Sequence, residues 1–331
     1  MPPRRDRLSA TTGPTCRNPS DTASEPARTA DIRAMTAAAT TTRRADDIAR
    51  ELDHARTRGP LQHLLIPPCP DLLARLQFVL AESEPDLGEV ARIATHDVAM
   101  SATLIRAASG AAFAGFAPAQ TVGQAMTRLG LEQTATVMTG FLARRAIPAD
   151  NRHLQRFWER STQRAIALDH LARQLPGLSP DLAYTFGLFS HVGMPVMLQS
   201  VRGYGSTIVE GMARRDRSFV QTENANHRTD HAVVGALVAR VWRLAPAVMA
   251  AIRLHHDLEM LGDSGTDPEV QTLVAAGLVA EHLMRRFEGM DPDPDWIAHA
   301  DRALDWLHAD RSDVEAWDEA VTALLEANGR G

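Results

Sequence analysis

From Asp46 onward, apolar residues recur at intervals of three and four, and strict alternation of apolar and polar positions over six or more residues is hard to find. The pattern predicts an all-α chain. Helices are expected near 46–57, 69–82, 87–95, 98–109, 121–145, 152–174, 180–191, 205–215, 230–243, 246–256, 269–287, 295–308 and 312–327. Three starts read as capping boxes, in which a side chain and a backbone N–H three residues away satisfy each other: Asp86 with Glu89, Thr121 with Gln124, and Ser312 with Glu315. Ser179 before Pro180 and Ala245 before Pro246 mark two more, since proline's fixed φ and missing N–H cost nothing in a first turn. A polar stretch from Gly262 to Asp267 sets the last helices apart, and no fixed-period repeat suggests a solenoid.

Composition narrows the class. At 331 residues the chain can bury a large core without cross-links, and its two cysteines, Cys16 and Cys69, form no CxxC pair. This fits a reducing, cytoplasmic setting. The net charge is −6 and no basic stripe interleaves with aromatics, so nucleic acid is not an expected partner. Every apolar run is broken by charge, Gly or Pro before it is long enough to cross a bilayer, so no membrane partner is expected either. Residues 1–45, rich in Arg, Thr, Ser, Pro and Ala, read as a disordered tail, and 46–62 as a helix and linker.

Six blocks, in order, carry a family resemblance. They are IPPCPDLLARLQFVL (66–80), LGEVARIATHDVAMSATLIRAASGAAF (87–113), TVGQAMTRLGLEQT (121–134), FWERSTQRAIALDHLARQL (157–175), YTFGLFSHVGMPVML (184–198) and TDHAVVGALVARVWRLAPAVMAAIRLHHD (229–257). Together they resemble the HDOD family, relatives of HD-type phosphohydrolases that generally lack the catalytic set. The resemblance implies an HD-like helical bundle. It would comprise two packed helical subdomains, 63–147 and a degenerate HD-like 152–258, followed by a C-terminal helical extension over 259–331. The sequence departs from the family pattern at telling places. Arg160 stands where the Trp-containing helix usually has His, and Ser109 where Asn is usual. The block that would read Gly-Leu-Leu-His-Asp-Ile-Gly runs from Gly187 to Gly193 with Ser190 and His191 in place of the namesake pair.

HD-type phosphodiesterases hold one or two metal ions with His and carboxylate ligands to generate hydroxide. A serine hydroxyl is a poor ligand and a guanidinium none, and Arg160 would set a fixed positive charge near the expected metal position. No catalytic residue and no cofactor is therefore expected. Four histidines remain: His191, His231, His255 and His256. His231 shares a helical face with Val234, Val238 and Val241, and His255 follows Val248 and Ile252 at helical spacing, so both point inward. The expectation is no metal and satisfied core histidines. His191, His231 and His255 are the candidate ligands should a metal bind; the adjacent His255 and His256 would place at most one ring at a common centre.

Trp158, Trp242, Phe186 and Phe189 read as core anchors, and Arg214, Arg215 and Arg217 beside Asp216 as a solvated helix end. Gly203 and Gly205 lack the spacing of a phosphate loop. The resemblance implies a non-catalytic regulatory module of bacterial signalling circuits that binds a signalling or regulatory protein. Its interaction or ligand cleft would be lined by Arg160, Ser190, His191, His231, His255 and His256. Two alternatives stay open: a metal-dependent phosphohydrolase of nucleotides or cyclic di-nucleotides with a rearranged His-rich site, and a sensor in which Arg160 and the Arg214 cluster grip an anionic ligand.

Overall fold

The computed structural model describes residues 47–57, 61–62, 64–110, 113, 115–149, 151–214 and 216–329; the tail expected over 1–45 lies outside them. Helices carry the architecture and no strand occurs among the described residues. In chain order they are α1 (47–57), α2 (Asp71–Leu80), α3 (Leu87–Thr95), α4 (Val98–Ala107), α5 (Val122–Ala146), α6 (Phe157–Ala172), α7 (Pro180–Phe189) and α8 (Gly193–Ser200). There follow α9 (Tyr204–Ala213), α10 (Phe219–His227), α11 (His231–Val241), α12 (Pro246–Leu254), α13 (Pro268–Phe287), α14 (Pro294–Leu307) and α15 (Arg311–Gly329). Helices α2, α3 and α4 pack on α5, which reaches α7 of a second bundle built on the α6–α7 and α11–α12 pairs. The chain's C-terminal part joins that second bundle: α13 packs on α6 and α12, and α15 on α6 and α13. Phe186, Phe189 and Trp242 are fully buried anchors, while Trp158 is half-buried and donates its indole N–H to the Ile147 carbonyl at 3.1 Å.

The expected starts hold with local changes. Asp86 accepts the N–H groups of Gly88 and Glu89 (2.8 and 3.2 Å), but Glu89 pairs with Arg75 and Arg92 instead of closing the box. Thr121 accepts the Gln124 N–H, while the Gln124 amide oxygen reaches one residue further back, to Gln120. The box expected at Ser312 and Glu315 forms two residues earlier. Asp310 accepts the N–H groups of Ser312 and Asp313, and Asp313 accepts that of Asp310. A box that sequence reading overlooked, Ser218 with Gln221, opens α10. Helices α8 and α10 were absent from the expected set. The first is apolar almost throughout with Pro195 inside it, the second mostly polar, and neither shows a clear helical stripe. Residues 122–146 bend at Gly130, whose φ of 77° is the left-handed region that favours glycine.

A close approach of backbones positions the start of α11 against α8. A Cβ added at Gly193 would lie 2.1 Å from the His231 carbonyl oxygen, so only glycine lets α8 meet the start of α11. Gly193→Ala should destabilise the chain by about 3 kcal/mol, read from denaturant unfolding. His282, on α13, stacks on Trp296 of α14 with ring centroids 3.9 Å apart, and its Nδ1 has no hydrogen-bond partner. Burial, followed by the charges of Arg286 and Arg285, pushes its pKa down to about 4. An unfolded histidine titrates near about 6.5, so the stability this neutral ring carries is complete above that pH and is lost as pH falls toward and through the folded value. His282→Phe keeps the stack without the titration. Its stability relative to the native chain should rise by roughly 2–3 kcal/mol across that window in a pH series of unfolding curves.

Candidate functional site

Four imidazoles converge at the heart of the second bundle. His191 lies between α7 and α8, His231 is the first residue of α11, and His255 and His256 follow the end of α12. One nitrogen from each lies within 4.8 Å of those of the other three. The His231 Nε2 is 3.3 Å from the Nε2 of His255 and 3.3 Å from that of His256. The expectation that only one of the adjacent pair is aimed inward is thus corrected. Both rings stand on the turn just after Leu254, the last residue of α12.

Each ring is held from behind at Nδ1. Glu223 takes that of His231 at 2.7 Å, the Ile252 carbonyl that of His255 at 2.7 Å, and Asp295 that of His256 at 2.8 Å. The Ser190 hydroxyl lies 3.0 Å from the Nδ1 of His191 and is 3.4 Å from the Gly187 carbonyl, to which it donates. Acceptors at Nδ1 fix the tautomer with the proton on that atom and leave Nε2 as the lone-pair donor. Burial, reinforced by neighbouring positive groups, drives the pKa of His191 and His255 well below the ordinary histidine range. For His256 burial acts in the same sense, yet the hydrogen bond and charge of Asp295 outweigh it and raise the pKa.

The centre opens on a cavity of about 400 Å³ whose walls include Arg160, Arg164, Arg214, Arg217 and Arg285. Arg160 faces this cavity as the sequence suggests, but its charge is not bare. Its Nη2 is 3.0 Å from Glu281 and 3.3 Å from Glu288. The guanidinium whose field reaches the histidines is that of Arg164, nearly buried, which gives Glu281 two hydrogen bonds of 3.1 and 2.8 Å. Burial works to raise the Glu281 carboxyl, and Arg164 and Arg160 together hold it below its ordinary value. Arg214 and Arg217 both contact Glu210, at 2.6 and 2.9 Å, and Arg214 also Asp216; Arg215 lies outside the described residues. The Nε atoms of Arg160 and Arg217 and the Ser161 hydroxyl, all buried, have no hydrogen-bond partner.

Sequence reasoning therefore found the four histidines, Ser190 and Arg160, and missed Glu223, Glu281, Asp295 and Arg164. Glu223 and Asp295 were beyond reach because the pairing spans eight residues for one and joins α14 to the end of α12 for the other. Arg164 carried one usable signal, a charge one helical turn after Arg160 on the same face.

The profile of the HDOD domain family matches residues 66–258, and the chain belongs to that family. The fold agrees with solved structures. One from Shewanella amazonensis, provisionally described as a phosphohydrolase, is 20% identical with a TM-score of 0.62, covering 85% of this chain and 95% of that one. Another, from Marinobacter aquaeolei and provisionally described as a signal transduction protein, is 17% identical with a TM-score of 0.65, covering 81% and 59%. An uncharacterized protein of Treponema pallidum is 22% identical over 232 residues, which is 69% of this chain and 44% of that relative; the chain thus spans less than half of its length. No helix among the described residues is long and apolar enough to cross a membrane.

The Glu281 bridge is the pairing on which this wall stands. Glu281→Ala leaves two guanidinium groups facing each other with little water, and should cost about 3–5 kcal/mol in chemical denaturation. Arg164→Met combined with Glu281→Leu removes the buried pair as a unit and should recover much of that loss.

Proposed function

We propose that this HDOD chain is a regulatory module without hydrolytic activity, which binds a small anionic effector in the arginine-walled cleft and passes its occupancy on through contacts with another protein. One observation carries the non-hydrolytic reading: every donor at the centre is an imidazole nitrogen, and the nearby carboxylates of Glu223 and Asp295 sit behind the rings. An HD-type hydrolase needs anionic oxygen in its ligand set and an open position for hydroxide, and four convergent nitrogens supply neither. The residues therefore do not fit the carboxylate-containing metal set of HD-type enzymes. The arginines on the cavity wall, Arg160, Arg164, Arg214, Arg217 and Arg285, support an anionic ligand, because guanidinium groups bind phosphate in a forked geometry. The signal transduction protein of like fold agrees with a regulatory role.

The hydrolase alternative draws on the same four histidines and on the Shewanella relative's description. A panel of nucleotides and cyclic di-nucleotides separates the two. Under the regulatory reading at least one of them raises the melting temperature of the native chain, with about 2.7 kcal/mol of stabilisation at a hundredfold excess over Kd. Arg160→Gln combined with Arg217→Gln loses that shift, and chromatography recovers the compound intact after incubation with Mn²⁺ or Zn²⁺. Turnover that disappears in His231→Ala would overturn the reading.

A further inference from the structure

The four histidines place a second kind of ligand in the molecule, distinct from the anionic effector. We propose that His191, His231, His255 and His256 bind one divalent transition-metal ion of the zinc class through their Nε2 atoms. Geometry carries this. Zinc–imidazole bonds measure about 2.0–2.1 Å, and in a tetrahedron the donor–donor edge is roughly 1.6 times the bond, or about 3.3–3.4 Å. The His231 Nε2 stands 3.3 Å from two of its neighbours, the edge such an ion would impose. The ligand nitrogens of all four rings, His191 included, lie within 4.8 Å of one another.

The backing of the rings gives an independent reason. Glu223, the Ile252 carbonyl and Asp295 accept from the Nδ1 atoms, so the lone pairs of His231, His255 and His256 are turned toward one another. Three lone pairs meeting away from solvent repel unless a cation lies between them, and a single proton bridges only one pair at a time. Carboxylate–histidine backing is also the arrangement that raises imidazole basicity toward a metal. The donor set selects its ion: nitrogen ligands suit Zn²⁺, Co²⁺, Ni²⁺ or Cu²⁺, whereas Mg²⁺ and Ca²⁺ require oxygen. The ligands stand on the α7–α8 junction, the start of α11 and the turn after α12, all packed in one bundle, so little ordering remains for the ion to impose.

The inference deepens the regulatory reading and rests on it for one feature, the closed four-nitrogen shell. The test uses the full chain purified without a histidine tag, stripped with chelator and titrated with Co²⁺. The expected result is one equivalent bound with the intense visible bands of four-coordinate Co²⁺, displaced by Zn²⁺. His256→Ala and His191→Ala should each keep at most a three-histidine site completed by water, with shifted visible bands and binding weakened at least about tenfold. Asp295→Asn should keep the stoichiometry and weaken binding about 10- to 100-fold. Circular dichroism of each variant separates loss of the site from loss of the fold. A native chain that is folded yet takes up no Co²⁺ or Zn²⁺ overturns the site, as does uptake unchanged in His231→Ala combined with His255→Ala. Stoichiometric metal accompanied by phosphodiester turnover would keep the site and overturn the non-hydrolytic reading, whereas folded, metal-free and inactive protein would overturn the site alone.

Discussion

A carboxylate cut off from water organises the second bundle. Glu223 is 0% exposed, and a charge so placed is tolerable only when its lone pairs are met. The Tyr204 hydroxyl donates to one oxygen; the backbone N–H and the Nδ1 of His231 approach the other at 3.2 and 2.7 Å. Those partners come from α9 and α11, while Glu223 itself sits on α10, so one side chain ties three helices and orients the ring at the middle of the histidine centre. Burial, with Glu223 alongside, pushes the Tyr204 phenol well above its ordinary pKa and keeps it a donor. Asp230, the N-cap of α11, accepts the Val233 N–H at 2.9 Å and an Asn224 amide hydrogen at 2.8 Å, locking α10 to α11 a second time.

The sequence was most legible where a local rule decided the outcome. Helix starts at Asp86, Thr121, Ser179 and Pro246 depend on a few neighbouring residues, and each forms where the pattern puts it. Where two acceptors compete, as Asp310 and Ser312 do at the start of α15, the stronger carboxylate takes the cap and the local rule misplaces it by one half turn. Helices α8 and α10 escaped because burial on most sides erases the stripe of one, and polarity on most sides erases that of the other. In the site, the inward faces of His231 and His255 followed from helical spacing, but the convergence of His256 did not, because it lies past the end of α12, where helical spacing gives no face.

Arg160 shows how a correct local reading can lead to a wrong local field. A guanidinium at that position does line the cavity, yet Glu281 and Glu288 neutralise it, and both come from α13 and its end, more than a hundred residues later in the chain. The helices beyond the family match thus complete the site. Glu281 of α13 holds Arg160 and Arg164, and Asp295 of α14 holds His256. Read as an extension, that segment hides its contribution; as the far wall of the cleft, it explains why two acidic side chains are sequestered there.

Moving carboxylates from the ligand set to the layer behind it changes what such a centre does. A divalent ion held by two carboxylates carries little net charge, whereas one held by four neutral imidazoles keeps both of its positive charges, softened only at one side chain's remove by Glu223 and Asp295. The arginines around the same cavity are partly offset by Glu281, Glu288 and Glu210. An ion at the centre would therefore add to the positive potential of the arginine wall, and an anion in the cleft would in turn favour the ion. Linkage requires the two effects to be equal: whatever factor the cation adds to anion affinity, the anion adds to cation affinity. With an ion at the centre, the charge of the cleft would thus become a variable set by occupancy, a property that a regulatory module can use.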